Sequence, residues 1–310
     1  MDRDAGPGEA ALDGMSTADI GLVLEGGGMR VTYTAGALDA FLDGGIDIRY
    51  VIGVSAGANA GSNYVADQRE RNHRTFVDLV PDPRYAGFSN LLRERSWFGM
   101  RFLFETLPDR LAKFNYEGFN TSPRTLVVGL TDCATGKTEY VTQRDHDPRW
   151  FVRTVLRATS SLPALSPPVP IAGRSYLDGG ISDSIPLARS IADGNTRNVI
   201  ILTRNEGFRK EPESLGSVIR LALRRYPAIL QALTQRHVRY NDSLDHIAEL
   251  ERSGAAFVLR PIRPLTVSRM ERDVQKLEDL YRQGYEETTR RLPALAAWLA
   301  ADAGATPPEP

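Results

Sequence analysis

The chain of 310 residues is short of the residue types that several familiar chemistries need. It has one cysteine, Cys133, so no internal disulfide forms and no oxidising compartment is required. Cys133 sits in "LTDCATGK", a strand end or turn with no histidine beside it, and reads as structural. The four histidines are His73, His146, His237 and His246, and none has the setting of a catalytic histidine on a loop at a strand end. His237 and His246 fall in a charged helical stretch and read as solvated. Excess charge of one sign is also missing. A net charge of -1 gives no bulk attraction to nucleic acid or to an anionic membrane, so no nucleic-acid partner is expected. No run of about eighteen apolar residues is present, so no spanning helix is expected. The first twenty residues lack the apolar segment of a signal peptide, and a cytoplasmic location follows by elimination. Residues 1–18 and 301–310 read as disordered tails.

What remains is an ordinary globular composition, 42% hydrophobic and 25% charged, long enough for one large α/β domain. "IGLVLEGG" and "IRYVIGV" are short, nearly all-apolar runs of the kind that forms strands buried on both faces. Between them Val31, Ala35, Leu38 and Leu42 have helical spacing, and Gly44-Gly45 supplies a stop. "SAGANAGSNYVA" continues as a helix of small residues. The β-α-β-α order is the signature of a parallel α/β layer fold. "RTLVVGLTDCATGKTEYVT" reads as two strands joined at "ATGK", "RWFVRTVLRATSS" as a helix and "RNVIILTR" as another buried strand. From about residue 213 the chain is mainly helical, interrupted by the strand "AAFVLRPI". With no repeat and no linker, the expected organisation is one α/β domain over 19–208 with a mainly helical region over 209–300 packed on it.

Gly53-Val54-Ser55-Ala56-Gly57 matches G-x-S-x-G. A serine on a tight strand-to-helix turn projects its hydroxyl out of the sheet, and flanking glycines let the backbones approach. The same pattern alone also suits an ordinary turn, so the strand before it and the helix after it carry the functional reading. Gly26, Gly27 and Gly28 end the preceding strand and offer N–H groups to a carbonyl oxygen turning negative. In a parallel sheet the two turns share one edge. A nucleotide-binding reading fails, because Val31 stands at the third position of G-x-G-x-x-G, and Thr131 stands where a phosphate loop needs its first glycine. An α/β-hydrolase would place more strands ahead of its serine than 55 residues allow. The serine needs a base. Asp178, ending an extended segment before Gly179-Gly180, is the candidate, and its other reading is an aspartate closing a turn. Asp183 is expected to cap a helix starting near Ser184.

"EGGGMRV", "GVSAG" and "DGG", in that order, resemble the D/E-G-G-G-x-R-G, G-x-S-x-G and D-G-G/A motifs of the patatin-like phospholipases. "ATSSLPALSPPVPIAGRSYLDGG" resembles the segment leading to that family's aspartate. Val31 stands where the family usually has glycine. The resemblance covers about residues 20–290. It implies a three-layer fold with a mainly parallel central sheet, and a serine acyl hydrolase of the phospholipase A or lysophospholipase type acting on lipid esters. It further implies Ser55 as nucleophile, Asp178 as its base, Gly26, Gly27, Gly28 and Met29 as oxyanion loop, and Arg30 shaping that loop. Gly53, Gly57, Gly179 and Gly180 support the turns, and neither metal nor cofactor is needed. Residues 91–104, with Trp97, Phe98, Met100, Phe102, Leu103 and Phe104 among arginines, read either as helices packed over the sheet or as a peripheral membrane contact. The second function class is a catalytically weak scaffold of this fold that binds lipid or a partner.

Overall fold

The computed structural model describes residues 19–301 apart from Glu213, so the expected tails lie outside the described residues, save Ala301. Eight strands form one sheet: β1 (Ile20–Leu24), β2 (Tyr50–Gly53), β3 (Thr125–Asp132), β4 (Thr138–Thr142), β5 (Val169–Ile171), β6 (Arg174–Asp178), β7 (Arg197–Ile201) and β8 (Ala256–Leu259). The order is β5-β6-β3-β2-β1-β7-β8, with β4 also paired to β3. The β3-β2-β1-β7-β8 ladders are parallel, and β4 and β6 run antiparallel to β3. The apolar runs of β1 and β7 are buried along their whole length, as strands covered on both faces must be. Leu22 and Leu24 join the larger core with α1 (Thr32–Asp43) and α2 (Ser55–Val65), while Val23 and Ile52 face Leu187, Tyr240 and Ile247 on the opposite side. Helices therefore cover both faces of a mainly parallel sheet, which is the three-layer arrangement.

The carboxyl-terminal region is helical over Pro227–Thr234, Arg236–Arg252 and Val274–Ala300, and β8 extends the same sheet beside β7. The stretch from 227 to 252 breaks at Gln235 instead of forming one helix. Two further details differ from the expected pattern. The segment before Asp178 is a hairpin, β5 to β6, turned by Ala172 and Gly173, both at positive φ (47° and 79°). Asp183 does not cap a helix at Ser184. The helix starts at Leu187, and Asp183 accepts hydrogen bonds from Ile185 N (3.2 Å) and from Tyr140 Oη (2.6 Å).

The edge of β3 positions everything that follows. β2 pairs with residues 125–128 of β3 and β6 with residues 130–132, while β4 overlaps both on the other side. So β2 and β6 lie end to end on one edge, pointing at each other, with Gly129 at the gap. Their facing ends are Gly53 and Asp178.

α1 and the helix Val274–Ala300 cross in direct backbone contact. A Cβ at Gly284 would lie 2.0 Å from Tyr33 O, and one at Gly36 would lie 2.1 Å from Tyr281 O. Tyr281 Oη also donates to the buried Asp39 at 2.7 Å. Gly284→Ala should therefore force the helices apart and cost about 1–3 kcal/mol, read as a lower urea midpoint. An unchanged midpoint would refute this account of the crossing.

Candidate active site

Ser55 is the first residue of α2, immediately after β2, and has φ of 54°. Left-handed backbone is costly for a residue with a Cβ, and it persists only where the surroundings enforce it. The enforcement is visible. Ser55 N donates to Thr159 Oγ1 at 2.8 Å, and Thr159 Oγ1 donates to Gly129 O at 2.7 Å. Gly129 O, at the gap between β2 and β6, is thus held by a side chain that also pins the serine. A Cβ at Gly57 would meet Glu25 O at 2.5 Å, and one at Gly53 would meet Ala58 N at 3.0 Å. A side chain at Gly57 would collide with the β1 backbone, and one at Gly53 would fit only tightly.

Ser55 Oγ donates to Asp178 Oδ2 at 2.7 Å, across 123 residues of sequence. Asp178 Oδ1 accepts from Gly180 N at 2.7 Å, which fixes the carboxyl plane. A Cβ at Gly179 would lie 2.1 Å from Gly129 O, so the turn after β6 closes only with glycine there. Asp178 is 3% exposed. Burial pushes its carboxyl above the ordinary aspartate range, opposed by the Ser55 hydrogen bond, the Arg236 charge, the Gly180 amide and the Arg269 charge. His73 pairs instead with Glu278 at 2.6 Å, and His146 stacks on Trp150. Among the described residues no histidine bonds to Ser55 or Asp178.

The glycine loop lies against the serine, since a Cβ at Gly26 would be 3.1 Å from Ser55 Cβ. Its four amides are not equivalent. Gly26 N donates to Ser184 O (3.2 Å) and Met29 N to Arg269 O (3.0 Å). The amides of Gly27 and Gly28, and that of Ala56 in the first turn of α2, have no partner among the described residues. Gly28 has φ of +59°, and a Cβ there would lie 2.4 Å from Arg269 O. Val31 has φ of -62°, ordinary helical backbone, so the position needs no glycine. Arg30 is buried beneath the loop. Burial lowers its guanidinium pKa to about 10, with Arg204 and Arg269 adding to the effect.

A cavity of about 100 Å³ opens from Ser55 and Gly28 and is walled by Phe76, Tyr85, Phe98, Met100, Leu103 and Phe104. Part of the 91–104 stretch is therefore cavity wall. A smaller cavity shares Leu103 and Phe104 and continues to Leu107 and Phe114. Cys133 is buried, and burial pushes its thiol up to about 12, so it takes no part. No His/Cys/Asp/Glu cluster suited to a metal is present among the described residues. Nor is any helix among them long and apolar enough to cross a membrane.

Comparison with known proteins agrees with this geometry. A family model described as patatin-like phospholipase matches residues 22–190, more than half of the chain. The chain belongs to the patatin-like phospholipase family. The matched span of this patatin-like protein holds the glycine loop, Ser55 and Asp178. A second model, a domain of unknown function, matches residues 226–300. Among curated relatives, the uncharacterized protein YjjU of Escherichia coli is 28% identical over 59% of this chain and 52% of its own length. Lysophospholipase NTE1 of Candida glabrata is 32% identical over 58% of this chain but 10% of its own length. An uncharacterized NTE family protein of Mycobacterium tuberculosis is 28% identical over 64% of this chain and 53% of its own. The chain thus spans about half, or far less, of these relatives. The crystal structure of VipD from Legionella pneumophila aligns at a TM-score of 0.48 and 15% identity, over 89% of this chain and 67% of that one.

Sequence reasoning missed the residues that hold the site together. Thr159 lies in the "ATSS" segment that resembles the family's, but nothing in a lone threonine reveals its bonds. Arg239 donates to Ser182 O (2.9 Å) and Ile181 O (3.2 Å) behind the Asp178 turn. Tyr240 Oη donates to Glu25 at 2.7 Å beneath the glycine loop. Both come from the carboxyl-terminal region, where charged helical sequence gives no sign of a role. Thr159→Val should leave Ser55 N–H and Gly129 O unpaired in a buried place, at about 1–3 kcal/mol. Guanidinium unfolding reads that loss, and wild-type stability in the variant would count against the pinning role.

Proposed function

We propose that the protein is a serine acyl hydrolase that cleaves carboxylic esters of lipids through Ser55 and Asp178. One observation carries this reading: a strained serine hydroxyl donating to a buried carboxylate at 2.7 Å beside unengaged amides. Ser55 Oγ attacks the ester carbonyl carbon, and its proton passes to Asp178 Oδ2. The carbonyl electron pair moves to oxygen, which the Gly27 and Gly28 amides stabilise, with Ala56 N–H as the third donor. Collapse expels the alcohol, which takes the proton from Asp178 and leaves an acyl-enzyme. Water then attacks the acyl carbon while Asp178 accepts its proton. The fatty acid leaves and Oγ is protonated again. The apolar cavity beside Ser55 takes the acyl chain, which favours a lipid ester over a small polar one. Lysophospholipase NTE1 is named for such a reaction and supports the same reading.

Hydrolysis of p-nitrophenyl esters and labelling by a fluorophosphonate test it. Ser55→Ala should abolish both, and Asp178→Asn should lower kcat by about a thousandfold or more. Since only the carboxylate accepts a proton, kcat/KM should fall as pH drops through a pKa above the ordinary aspartate value. Wild-type protein that neither cleaves the esters nor takes up the label would return the reading to a non-catalytic lipid-binding scaffold, and full labelling of Ser55→Ala would remove Ser55 as the nucleophile.

The reading includes a lipid surface as the place of work. Phe88 and Leu92, one helical turn apart, are 76% and 89% exposed, with Arg93 and Arg95 exposed beside them. This helix is tied to the cavity wall through Gly87 N to Trp97 O (2.8 Å) and the Ala86–Phe98 bridge. Apolar side chains ringed by arginine suit a bilayer interface. Phe88→Ser/Leu92→Ser should weaken sedimentation with phosphatidylglycerol vesicles about tenfold while p-nitrophenyl butyrate is still cleaved. Unchanged sedimentation would remove the patch.

A further inference from the structure

The carboxyl-terminal region brings a positive charge to the mouth of the candidate pocket. Arg269 lies on the segment between β8 and the helix Val274–Ala300, outside the span matched by the phospholipase model. Its carbonyl accepts the Met29 N–H at 3.0 Å. Its aliphatic stem crosses the glycine turn, with Cγ 2.6 Å from where a Gly28 Cβ would be. The residue lines the cavity together with Ser55 and is half-buried. Its guanidinium acts electrostatically on both Asp178 and Arg30.

The charges around it do not balance. Arg204 and Arg269 both act on the buried Arg30. Arg30 Nε is buried without a hydrogen-bond partner among the described residues. Glu25, the acid that acts on Arg30, already accepts from Thr203 N and Tyr240 Oη. Among the described residues the Arg269 side chain makes no direct ion pair, unlike Arg124, Arg209 or Arg260 in this chain, and acts on Asp178 only through its charge. Like charges gathered in a partly desolvated place repel unless an anion joins them. A planar guanidinium fits a phosphate through two parallel hydrogen bonds.

We propose that Arg269 binds the phosphate of a phospholipid or lysophospholipid whose acyl carbonyl lies at Ser55, and so selects phosphate-bearing lipids over neutral glycerides. The proposal rests on the serine hydrolase reading and adds to it the residue that reads the head group. In the productive pose the acyl chain enters the apolar cavity, the ester lies at Ser55 and the glycine loop, and the phosphate meets Arg269 at the mouth. The carboxyl-terminal region, attached to the catalytic span through Arg269 O and Met29 N, thereby contributes to substrate choice.

The test compares a 1-acyl lysophosphatidylglycerol with the 1-monoacylglycerol of the same acyl chain, in wild type, Arg269→Gln and Arg269→Lys. The quantity read is the ratio of kcat/KM for the two substrates. Arg269→Gln should lower that ratio about tenfold or more, mainly through KM, and Arg269→Lys should recover part of it. Arg269→Met, which keeps the stem over Gly28, serves where the Gln variant does not fold. A ratio equal to wild type in Arg269→Gln or Arg269→Met overturns the proposal, whether both activities fall together or neither does. Inorganic phosphate added to the monoacylglycerol assay separates lipid phosphate from free phosphate. An effect on wild type that is lost in Arg269→Gln, with the ratio unchanged, assigns the site to the free anion and overturns the lipid assignment. Full activity in Ser55→Ala overturns the hydrolase reading on its own, since that outcome does not involve Arg269.

Discussion

The structure turns on a vacancy in a ladder. β2 leaves the edge of β3 after Gly53, and β6 arrives on the same edge from the opposite direction, ending at Asp178. Neither strand pairs with Gly129, which lies between them. A buried carbonyl left without a partner costs free energy, so the gap has to be filled by something polar. Thr159 fills it and passes the constraint to Ser55 N. The serine is thereby held in a left-handed conformation at one lip of the gap while the carboxylate stands at the other. Their 2.7 Å contact follows from strand register more than from any local attraction.

This explains why the glycines are where they are. Gly179 must pass close to the carbonyl of Gly129, and Gly57 close to that of Glu25. Each is a point where one backbone crosses another, and a methyl group at either would open the gap. Arg239, from beyond the matched catalytic span, ties down the carbonyls of Ile181 and Ser182 behind the turn. Met29, on the other lip, is tied to Arg269 O. Both walls of the site thus lean on the carboxyl-terminal region, whose β8 continues the same sheet.

Much of this was legible in the residues. Apolar runs gave β1, β2 and β7, the first two ending in glycine, because strands buried on both faces carry apolar residues on both. The three motifs in order named the residues that converge. The β5–β6 hairpin escaped because Ala172 takes a left-handed turn position that sequence habits assign to glycine or asparagine. The capping expected of Asp183 failed because Tyr140, distant in sequence, claims the carboxylate. Thr159 and Arg269 escaped for a shared reason: each acts through contacts at long sequence separation, which no periodicity or spacing encodes. Val31 stands where the family usually has glycine, yet its backbone lies in ordinary helical space.

Burial of Asp178 sets two demands against each other. Its carboxyl titrates above the ordinary range because burial disfavours the charged form. A base of raised pKa takes a serine proton more readily, which makes a carboxylate serviceable where no histidine is at hand. The stability consequence has the opposite sign. Where the native group holds its proton more tightly than the unfolded one, the folded state binds more protons, and stability falls as pH rises through that window. Ionisation at Asp178 therefore makes the proposed base competent and weakens the fold in the same pH range. The Ser55 hydroxyl, the Gly180 amide and the charges of Arg236 and Arg269 all stabilise the ionised form and narrow that conflict. On this account Arg269 does two things at once: it lowers the cost of keeping a buried carboxylate charged, and it offers that same positive charge to an arriving phosphate.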